Sequence, residues 1–280
     1  MFTQKKSMAD FEKHITIESE GRILIDSLSE HTACGKQQLK RLLQNGGVWL
    51  ETTHRNGVPS IERIRRAKKQ LKQGDTVHVY FNEKVQAEKP PVAELIADEG
   101  DYSIWNKPSG MYSQGSKWGD HCTVYRWAEK NLQPQRPAFI VHRLDRAANG
   151  LIILAHKKTV AAKFSALFEH HQISKLYRAV VEGRVDVQLP HAIKNKLDGK
   201  NAISKIIGIK INAQGNTSEV EIAIETGRKH QIRRHLSGMG HPIAGDRLYG
   251  AKNIEIDLQL SSIRLEFVCP VTLEQKTYCL

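Results

Sequence analysis

The chain has few cysteines and no long apolar run, and both absences restrict what it can be. Only four cysteines occur in 280 residues, and none forms a CxxC pair. Scattered thiols in a chain this long do not resemble a disulfide framework, which indicates a reduced, cytoplasmic setting. No apolar run approaches the roughly 18 residues that a membrane span requires, and residues 1–14 mix charges with few apolar side chains. We therefore expect a soluble protein without a membrane partner.

Histidines are numerous, but their spacing is not that of metal ligands. The chain has 13 of them and contains no HExxH motif or comparable array. His230 and His235 are five residues apart, a spacing that does not align two side chains on a helix. The sequence therefore predicts no metal site.

Charge of both signs is present, with an excess of basic residues. Lysine and arginine number 42 against 30 acidic residues, which gives a net charge of +12 and a pI near 9.5. Residues 101–280 carry most of the excess, with 26 basic against 16 acidic side chains. A basic surface attracts RNA, DNA or anionic lipid, so charge predicts a polyanionic partner without choosing among them.

One carboxylate, Asp145, lies between Arg143 and Arg146 in a segment bounded by two apolar runs. The continuous apolar character of 138–141 and 151–155 predicts two buried strands, with a turn at Asn149-Gly150 between them. Neighbouring guanidinium groups favour the ionised form of a carboxylate. An ionised aspartate at a strand end, beside cations, is suited to act on an anionic substrate, whereas the simpler interpretation is a surface ion pair.

Four stretches in a fixed order carry a family resemblance. Residues 142–145 read His-Arg-Leu-Asp, and residues 226–250 contain Thr-Gly-Arg-Lys-His-Gln-Ile-Arg-Arg-His-Leu and then Gly-His-Pro-Ile-Ala-Gly-Asp-Arg-Leu-Tyr-Gly. Residues 106–110 read Asn-Lys-Pro-Ser-Gly, and residues 175–183 read Lys-Leu-Tyr-Arg-Ala-Val-Val-Glu-Gly. Together they resemble the signatures of the RluA-type family of RNA pseudouridine synthases.

The resemblance implies isomerisation of uridine to pseudouridine in structured RNA, ribosomal or transfer, without a cofactor. It implies that Asp145 is the essential carboxylate, by covalent attack or by proton abstraction, and that Arg233 pairs with it. Tyr177 would lie against the target base and assist proton removal, and Lys107 would help to shape the pocket. Arg143 would fill the gap that the flipped base leaves. Plainer interpretations are a core aromatic for Tyr177, a bridging residue for Arg233 and a turn residue for Lys107.

The N-terminal part is predicted to be a separate small α/β domain over residues 15–83. Its basic helix, predicted at 36–44, turns three leucines inward and presents Lys36, Lys40 and Arg41 to phosphates, unless it is only a solvated face. The pattern resembles the alpha-L RNA-binding domain of bacterial pseudouridine synthases. Residues 84–99, which are charged and contain Lys-Pro-Pro, read as a linker. The catalytic domain is then expected over 100–280.

The catalytic part is predicted to be of the α+β class, with a mixed, largely antiparallel sheet, as the family resemblance also implies. Strands are expected at 102–105, 176–182, 203–211, 218–224 and 262–268, and helices at 123–131 and 158–170. We expect a monomer without a protein partner.

Two departures from the family pattern, and two other functions, remain open. Ala148-Asn149 stands where many members have Thr-Ser, and Gln259 stands where a histidine is frequent. Neither touches the predicted catalytic groups. The alternatives are a noncatalytic RNA-binding or ribosome-assembly factor, and a base-flipping DNA glycosylase that uses the same carboxylate.

Overall fold

A computed structural model describes residues 10–53, 58–212, 214, 216–251 and 255–280. The sequence also predicts turns at Arg55-Asn56-Gly57 and at Gln214-Gly215-Asn216. The first lies outside the described residues, as does Gly215 of the second. The chain forms two compact units, one of residues 1–90 with 114–126 and the other of residues 91–113 with 127–280.

The first unit contains a four-stranded antiparallel sheet in the order β1-β4-β2-β3. Its strands are β1 (Phe11–Thr16), β2 (Val48–Thr53), β3 (Pro59–Arg63) and β4 (Thr76–Phe81), and its helices are α1 (Leu24–His31), α2 (Lys36–Asn45) and α3 (Glu83–Ala87). The predicted basic helix is thus confirmed as α2. Its Leu39, Leu42 and Leu43 are buried in the core, because their spacing places them on one helix face.

Residues 114–126 belong to this first unit and supply it with a buried carboxylate, Asp120. Arg63 and Arg65 each place a guanidinium nitrogen 2.6 Å from Asp120 Oδ2, and the Tyr125 hydroxyl donates to the same oxygen. Burial would raise the pKa of Asp120, but Arg65, Tyr125 and Arg63 together hold it below its usual value. A buried charge with such partners is structural, so Arg63 and Arg65 serve the fold of this unit.

The second unit is built on a ten-stranded sheet. Eight of its strands follow the order β10-β11-β12-β9-β13-β8-β6-β5, while β14 pairs with β13 and β7 pairs with β8. The β13–β8 pair is parallel and the other pairs are antiparallel. The strands are β5 (Glu94–Asp98), β6 (Tyr102–Lys107), β7 (Phe139–Ile140), β8 (Asn149–Ala155), β9 (Ser174–Glu182), β10 (His191–Leu197), β11 (Lys200–Ile211), β12 (Thr217–Ile224), β13 (Leu260–Val268) and β14 (Gln275–Cys279). This is the predicted mixed, largely antiparallel α+β architecture.

Three further helices complete the described secondary structure: α4 (Val124–Asn131), α5 (Lys158–Glu169) and α6 (Gln231–Gly238). Helix α5 packs on the sheet through Val160 and Phe164, both buried, as its apolar periodicity predicted. The core beneath it includes Tyr102 and Phe267, whose rings meet the ring of Phe164 edge to face.

Two local predictions differ from the structure. The segment 84–99, predicted as a linker, contains most of α3 and all of β5, and β5 pairs with β6 at the edge of the large sheet. The charged residues of β5 suggested a linker. In the structure β5 is an edge strand, which can expose such charges to solvent. Asn149 and Gly150 are not a turn but the first residues of β8.

Candidate active site

Asp145 lies in the loop between β7 and β8, at a cavity of about 110 Å³ in the second unit. The side chain of Asp145 is 28% exposed, so it is reachable from solvent and yet flanked by protein. The cavity takes residues from this loop, from β9, from the end of β12 and from the start of α6. Its lining includes Arg143, Leu144, Asp145, Tyr177, His230, Gln231 and Arg233.

Arg233 joins Asp145 to a second, buried carboxylate. Its Nη1 donates to Asp145 Oδ2 at 3.2 Å, while its Nε and Nη2 donate to the two oxygens of Asp246 at 2.8 and 2.7 Å. Burial would lower the pKa of Arg233, but the two carboxylates raise it above its usual value. Burial likewise would raise the pKa of Asp246, and Arg233 with two backbone N–H groups holds it low. Arg233 and Asp246 are therefore both charged at neutral pH.

Helix geometry explains why Arg233, rather than Arg234, meets Asp145. Consecutive residues on a helix point about 100° apart, so the two arginines of α6 face different surroundings. Arg233 is buried, and Arg234 pairs at 3.0 Å with Asp198, which is exposed. The pairing of Arg233 with Asp145 that the resemblance implied is thus present.

Tyr177 projects from β9 into the cavity lining. It is buried, and burial together with the negative charge of Asp145 raises the pKa of its phenol to about 12. The phenol is consequently protonated at neutral pH. It offers an apolar ring and an O–H donor, and it could take up a proton from the base only after giving up its own.

Lys107 is completely buried and does not line the cavity. Its Nζ donates to the carbonyl oxygens of Ala148 at 2.6 Å, of Pro108 and Met111 at 3.0 Å and of Arg146 at 3.4 Å. Burial lowers the pKa of Lys107 to about 7, against the opposing charge of Asp145. Lys107 therefore contributes to the pocket indirectly, by tying the end of β6 to the loop of Asp145, and it is no ordinary turn residue.

His142 fixes the same loop from the other side. Its Nε2 accepts a hydrogen bond from the backbone N–H of Ile153 at 2.9 Å, and its ring stacks on Phe168 with centroids 4.4 Å apart. Burial lowers the pKa of His142 to about 3, so its ring is neutral and can accept. The loop that carries Asp145 is thus held by Lys107 through its carbonyls and by His142 through Ile153.

Sequence reasoning assigned no role to three residues of this site: Asp246, His230 and Tyr249. All three fall inside the stretches 226–236 and 240–250 that carried the resemblance. Asp246 holds the guanidinium of Arg233, and His230 lies beside Asp145 with its Nδ1 at 2.9 Å from the Tyr249 hydroxyl. The motif marked these positions, but their partners depend on tertiary contacts.

The remaining predicted residues occupy other places. Arg143 is exposed at the rim of the cavity. Lys36, Lys40 and Arg41 are exposed on α2 of the first unit, where Lys36 pairs with Asp26 at 2.8 Å and Arg41 donates to the carbonyl of Gln86 at 2.6 Å.

The part of the chain that the structure describes holds neither a cluster of metal-ligand side chains nor a membrane-spanning helix. Among the residues that the structure describes, no three histidine, cysteine or acidic side chains are grouped as metal ligands would be. None of the described helices combines the length and apolar character needed to cross a membrane.

Comparison with known proteins agrees with this fold. The family model described as RNA pseudouridylate synthase matches residues 101–238. The ribosomal large subunit pseudouridine synthase C of Vibrio cholerae is 31% identical over 255 residues, covering 78% of this chain and 79% of that relative. The dual-specificity RNA pseudouridine synthase RluA of Haemophilus influenzae is 30% identical over 209 residues, covering 67% of this chain and 92% of that relative.

A solved structure shares the fold. The human RNA pseudouridylate synthase domain containing 1 superimposes with a TM-score of 0.57 at 20% identity, covering 69% of this chain and 86% of that one. The family model and the relatives thus identify an isomerase that acts on RNA. The chain belongs to the RNA pseudouridine synthases, and its relatives place it with the RluA-type members.

Proposed function

We propose that this protein isomerises specific uridines in structured RNA to pseudouridine, with Asp145 as the essential carboxylate. The observation that carries the proposal is the placement of Asp145, an accessible carboxylate at a cavity, with one oxygen held by the buried guanidinium of Arg233. The relatives are named for action on transfer RNA, on ribosomal RNA of the large subunit, or on two substrates, so structured RNA of either kind is the proposed substrate.

The reaction exchanges one bond to the sugar for another. The bond between the sugar C1′ and uracil N1 breaks, the base turns, and C5 bonds to C1′. The C5 proton leaves and N1 gains a proton, so atoms and charge balance without a redox partner. Asp145 starts the reaction either by attacking the nucleotide or by removing a sugar proton, and a charged, oriented carboxylate serves both routes.

The other site residues receive roles from their positions. Arg233 fixes the orientation of Asp145 through its hydrogen bond to Oδ2, while Tyr177 packs against the uracil ring. The target base must leave its stack, which costs a few kcal/mol in a duplex and less in a loop. Arg143, at the cavity rim, has a planar head that can stack and hydrogen-bond in the vacated space.

We propose that the first unit holds the RNA backbone. On α2, Lys40 is exposed, and Lys36 can exchange its exposed ion pair with Asp26 for a phosphate because such a pair is weak. The segment 66–72 adds four exposed cations for which the described residues provide no ion pair: Arg66, Lys68, Lys69 and Lys72. Its backbone is fixed to residues 22–25, since Leu24 and Ile25 donate to its carbonyls and Leu71 donates to Arg22.

Mapping of pseudouridine tests the proposed function. Total RNA from cells with and without this protein is compared by pseudouridine-specific chemical mapping, and the purified protein is then added to the RNA that lacks it. We expect at least one uridine in structured ribosomal or transfer RNA to lose its modification and to regain it in vitro. Identical maps, together with no modification by the purified protein, would leave a noncatalytic RNA-binding factor as the better interpretation.

A further inference from the structure

His230 stands beside Asp145 and has no part in the proposed mechanism so far. Its Nε2 lies 3.8 Å from Asp145 Oδ1, whereas Arg233 contacts the other carboxylate oxygen, Oδ2, at 3.2 Å. The imidazole and the guanidinium therefore face different oxygens of one carboxylate. His230 also lines the cavity, so it is next to the place where the nucleotide would react.

The ring of His230 is held in place from two sides. The residue immediately precedes α6 and has a backbone φ of 53°, in the left-handed region. That conformation is uncommon for a residue with a side chain, and it persists where surrounding contacts enforce it, often at functional sites. The ring also meets the ring of Tyr249 edge to face at 5.7 Å.

The contacts of His230 with Tyr249 and Asp145 together favour one position for its ring proton. Nδ1 lies 2.9 Å from the Tyr249 hydroxyl, which can donate to it. Nε2 then carries the hydrogen and presents it toward Asp145. The opposite tautomer would direct the lone pair of Nε2 at a carboxylate oxygen, which is electrostatically unfavourable.

The charges around His230 favour its neutral form. Burial lowers the pKa of the imidazole, and Arg233 and Lys229 lower it further. The carboxylates of Asp145 and Asp246 oppose this shift without cancelling it. At neutral pH the ring is an uncharged N–H donor.

We propose that His230 is a second positioning residue for Asp145, whose Nε2–H donates to Oδ1 once RNA fills the cavity. The inference rests on the proposed function. A distance of 3.8 Å is longer than a hydrogen bond, but active-site hydrogen bonds are often long without substrate and shorten when it binds. A neutral donor on Oδ1 and a cation on Oδ2 fix the rotation of the carboxylate plane while adding no second ion pair that would weaken its reactivity.

Two substitutions at His230 test the proposal in the full-length protein. Asparagine accepts the left-handed backbone but is too short to reach Asp145, while glutamine places an amide N–H near the position of Nε2. We expect His230→Asn to lower the single-turnover rate of pseudouridine formation by about one to two orders of magnitude, the size typical of a misaligned reacting group. His230→Gln should recover most of that loss, and both variants should bind RNA as the wild type does.

The pH profile separates positioning from a merely structural role. Below the usual imidazole pKa of 6.5, His230 in the wild type gains a proton and becomes a second cation on Asp145. We therefore expect the wild-type single-turnover rate to fall as the pH drops through the lowered pKa of His230. In His230→Asn this fall should be absent, leaving only the loss caused by protonation of carboxylates at lower pH.

His171→Asn makes the same change at an exposed histidine that also has a left-handed backbone but does not line the cavity, so it is the matched control and should keep the wild-type rate at saturating RNA. A wild-type rate in His230→Asn, or an unchanged pH profile, would overturn the proposal, as would a rate loss explained by weaker RNA binding. If His230→Asn does not fold, Tyr249→Phe provides the same test. This substitution removes the hydroxyl that donates to Nδ1 of His230, so the pH at which the single-turnover rate falls on the acid side should shift. An inactive wild-type protein would instead refute the proposed function itself.

Discussion

Arg233 is the residue on which the geometry of the site depends most. One guanidinium group binds two carboxylates at once, with two nitrogens on Asp246 and the third on Asp145. The planar fork of arginine makes this possible, and the point charge of lysine could not reproduce it. Asp246 sets the plane of the guanidinium, and that plane sets the orientation of Asp145.

Substitution of the two neighbouring arginines of α6 tests this arrangement. Arg233→Ala should abolish most pseudouridine formation because Asp145 loses its partner, and it should lower the free energy of unfolding because Asp246 is left buried and unpaired, a cost of about 3–5 kcal/mol. Arg234→Ala should mainly weaken RNA binding. Single-turnover assays, filter binding and urea denaturation measure the three quantities. A greater catalytic loss in Arg234→Ala than in Arg233→Ala would contradict the assigned roles.

At the scale of elements, the loop between β7 and β8 is built to be rigid. Lys107 binds the carbonyls of Arg146 and Ala148, while the hydroxyl of Ser113 donates to the carbonyl of Leu144 at 2.7 Å and accepts from its N–H at 3.0 Å. Backbone groups on both sides of Asp145 are thus satisfied within the protein. Such preorganisation lets the carboxylate meet the nucleotide without a cost of reordering at that moment.

The start of β8 requires a glycine. Gly150 has a φ of +110° and pairs with Ser262 in the parallel contact between β8 and β13, where an added Cβ would overlap the backbone of Ser262. Gly240 also has a positive φ, but no atom lies within 4 Å of the position of its Cβ. Both glycines therefore adopt a positive φ that other residues disfavour. Only Gly150 also lies so close to another strand that a side chain would not fit.

Alanine substitution at both positions separates the two effects. Gly240→Ala should cost about 1–2 kcal/mol in the free energy of unfolding, from its left-handed backbone alone. Gly150→Ala should cost several kcal/mol more because the strands must move apart, and it should impair activity because Asp145 lies five residues earlier. Urea denaturation measures the free energy of unfolding of both variants. Equal losses would contradict the close approach between β8 and β13.

Helices and strands with a regular spacing of apolar residues were predicted well from the sequence. Elements whose side chains are mostly exposed were missed. Helix α5 and strand β9 have buried residues at regular spacing and were predicted nearly to their ends. Strand β10 buries only Ile193 and Leu197 among exposed polar residues, so its pattern carries little strand signal. Exposed edge strands tolerate charges, which is why β5 read as a linker.

The candidate active site was only partly predictable from the sequence. Asp145 stood out by its local surroundings, and the family signature pointed to Arg233 and Tyr177. The partner of Arg233 was not predictable, because Asp246 is 13 residues away and meets it only after α6 has packed. The buried position of Lys107 was equally hidden, since its four acceptors come from two separate segments.

At the scale of the whole molecule, the charge distribution suits a polyanion. The net charge is +12, and the first unit carries a group of exposed cations at 66–72. Each phosphate that a cation neutralises steepens the dependence of log Kd on log salt by roughly 0.7–0.9. RNA affinity should therefore be strongly sensitive to salt.

Two charge variants of the full-length protein test which surface of the first unit meets RNA. Lys68→Gln, Lys69→Gln and Lys72→Gln together should weaken RNA binding and make its salt dependence shallower, by up to about 2–3 units of slope. Lys36→Gln and Lys40→Gln together should have a smaller effect, because Lys36 already has a partner in Asp26. Filter binding across a salt series decides. Unchanged slopes in both variants would mean that these cations are only a solvated surface.

The most direct test of the central claim is the Asp145→Asn variant. This substitution keeps the volume of the side chain and removes the negative charge that either proposed route requires. RNA labelled with tritium at uridine C5 releases tritium when the base is rejoined through C5, and filter binding reports affinity separately. Asp198→Asn, which makes the same change at an exposed carboxylate, is the matched control. We predict that Asp145→Asn binds RNA like the wild type and releases no tritium, while Asp198→Asn releases it normally. Continued release by purified Asp145→Asn would contradict the assignment of Asp145 as the essential carboxylate.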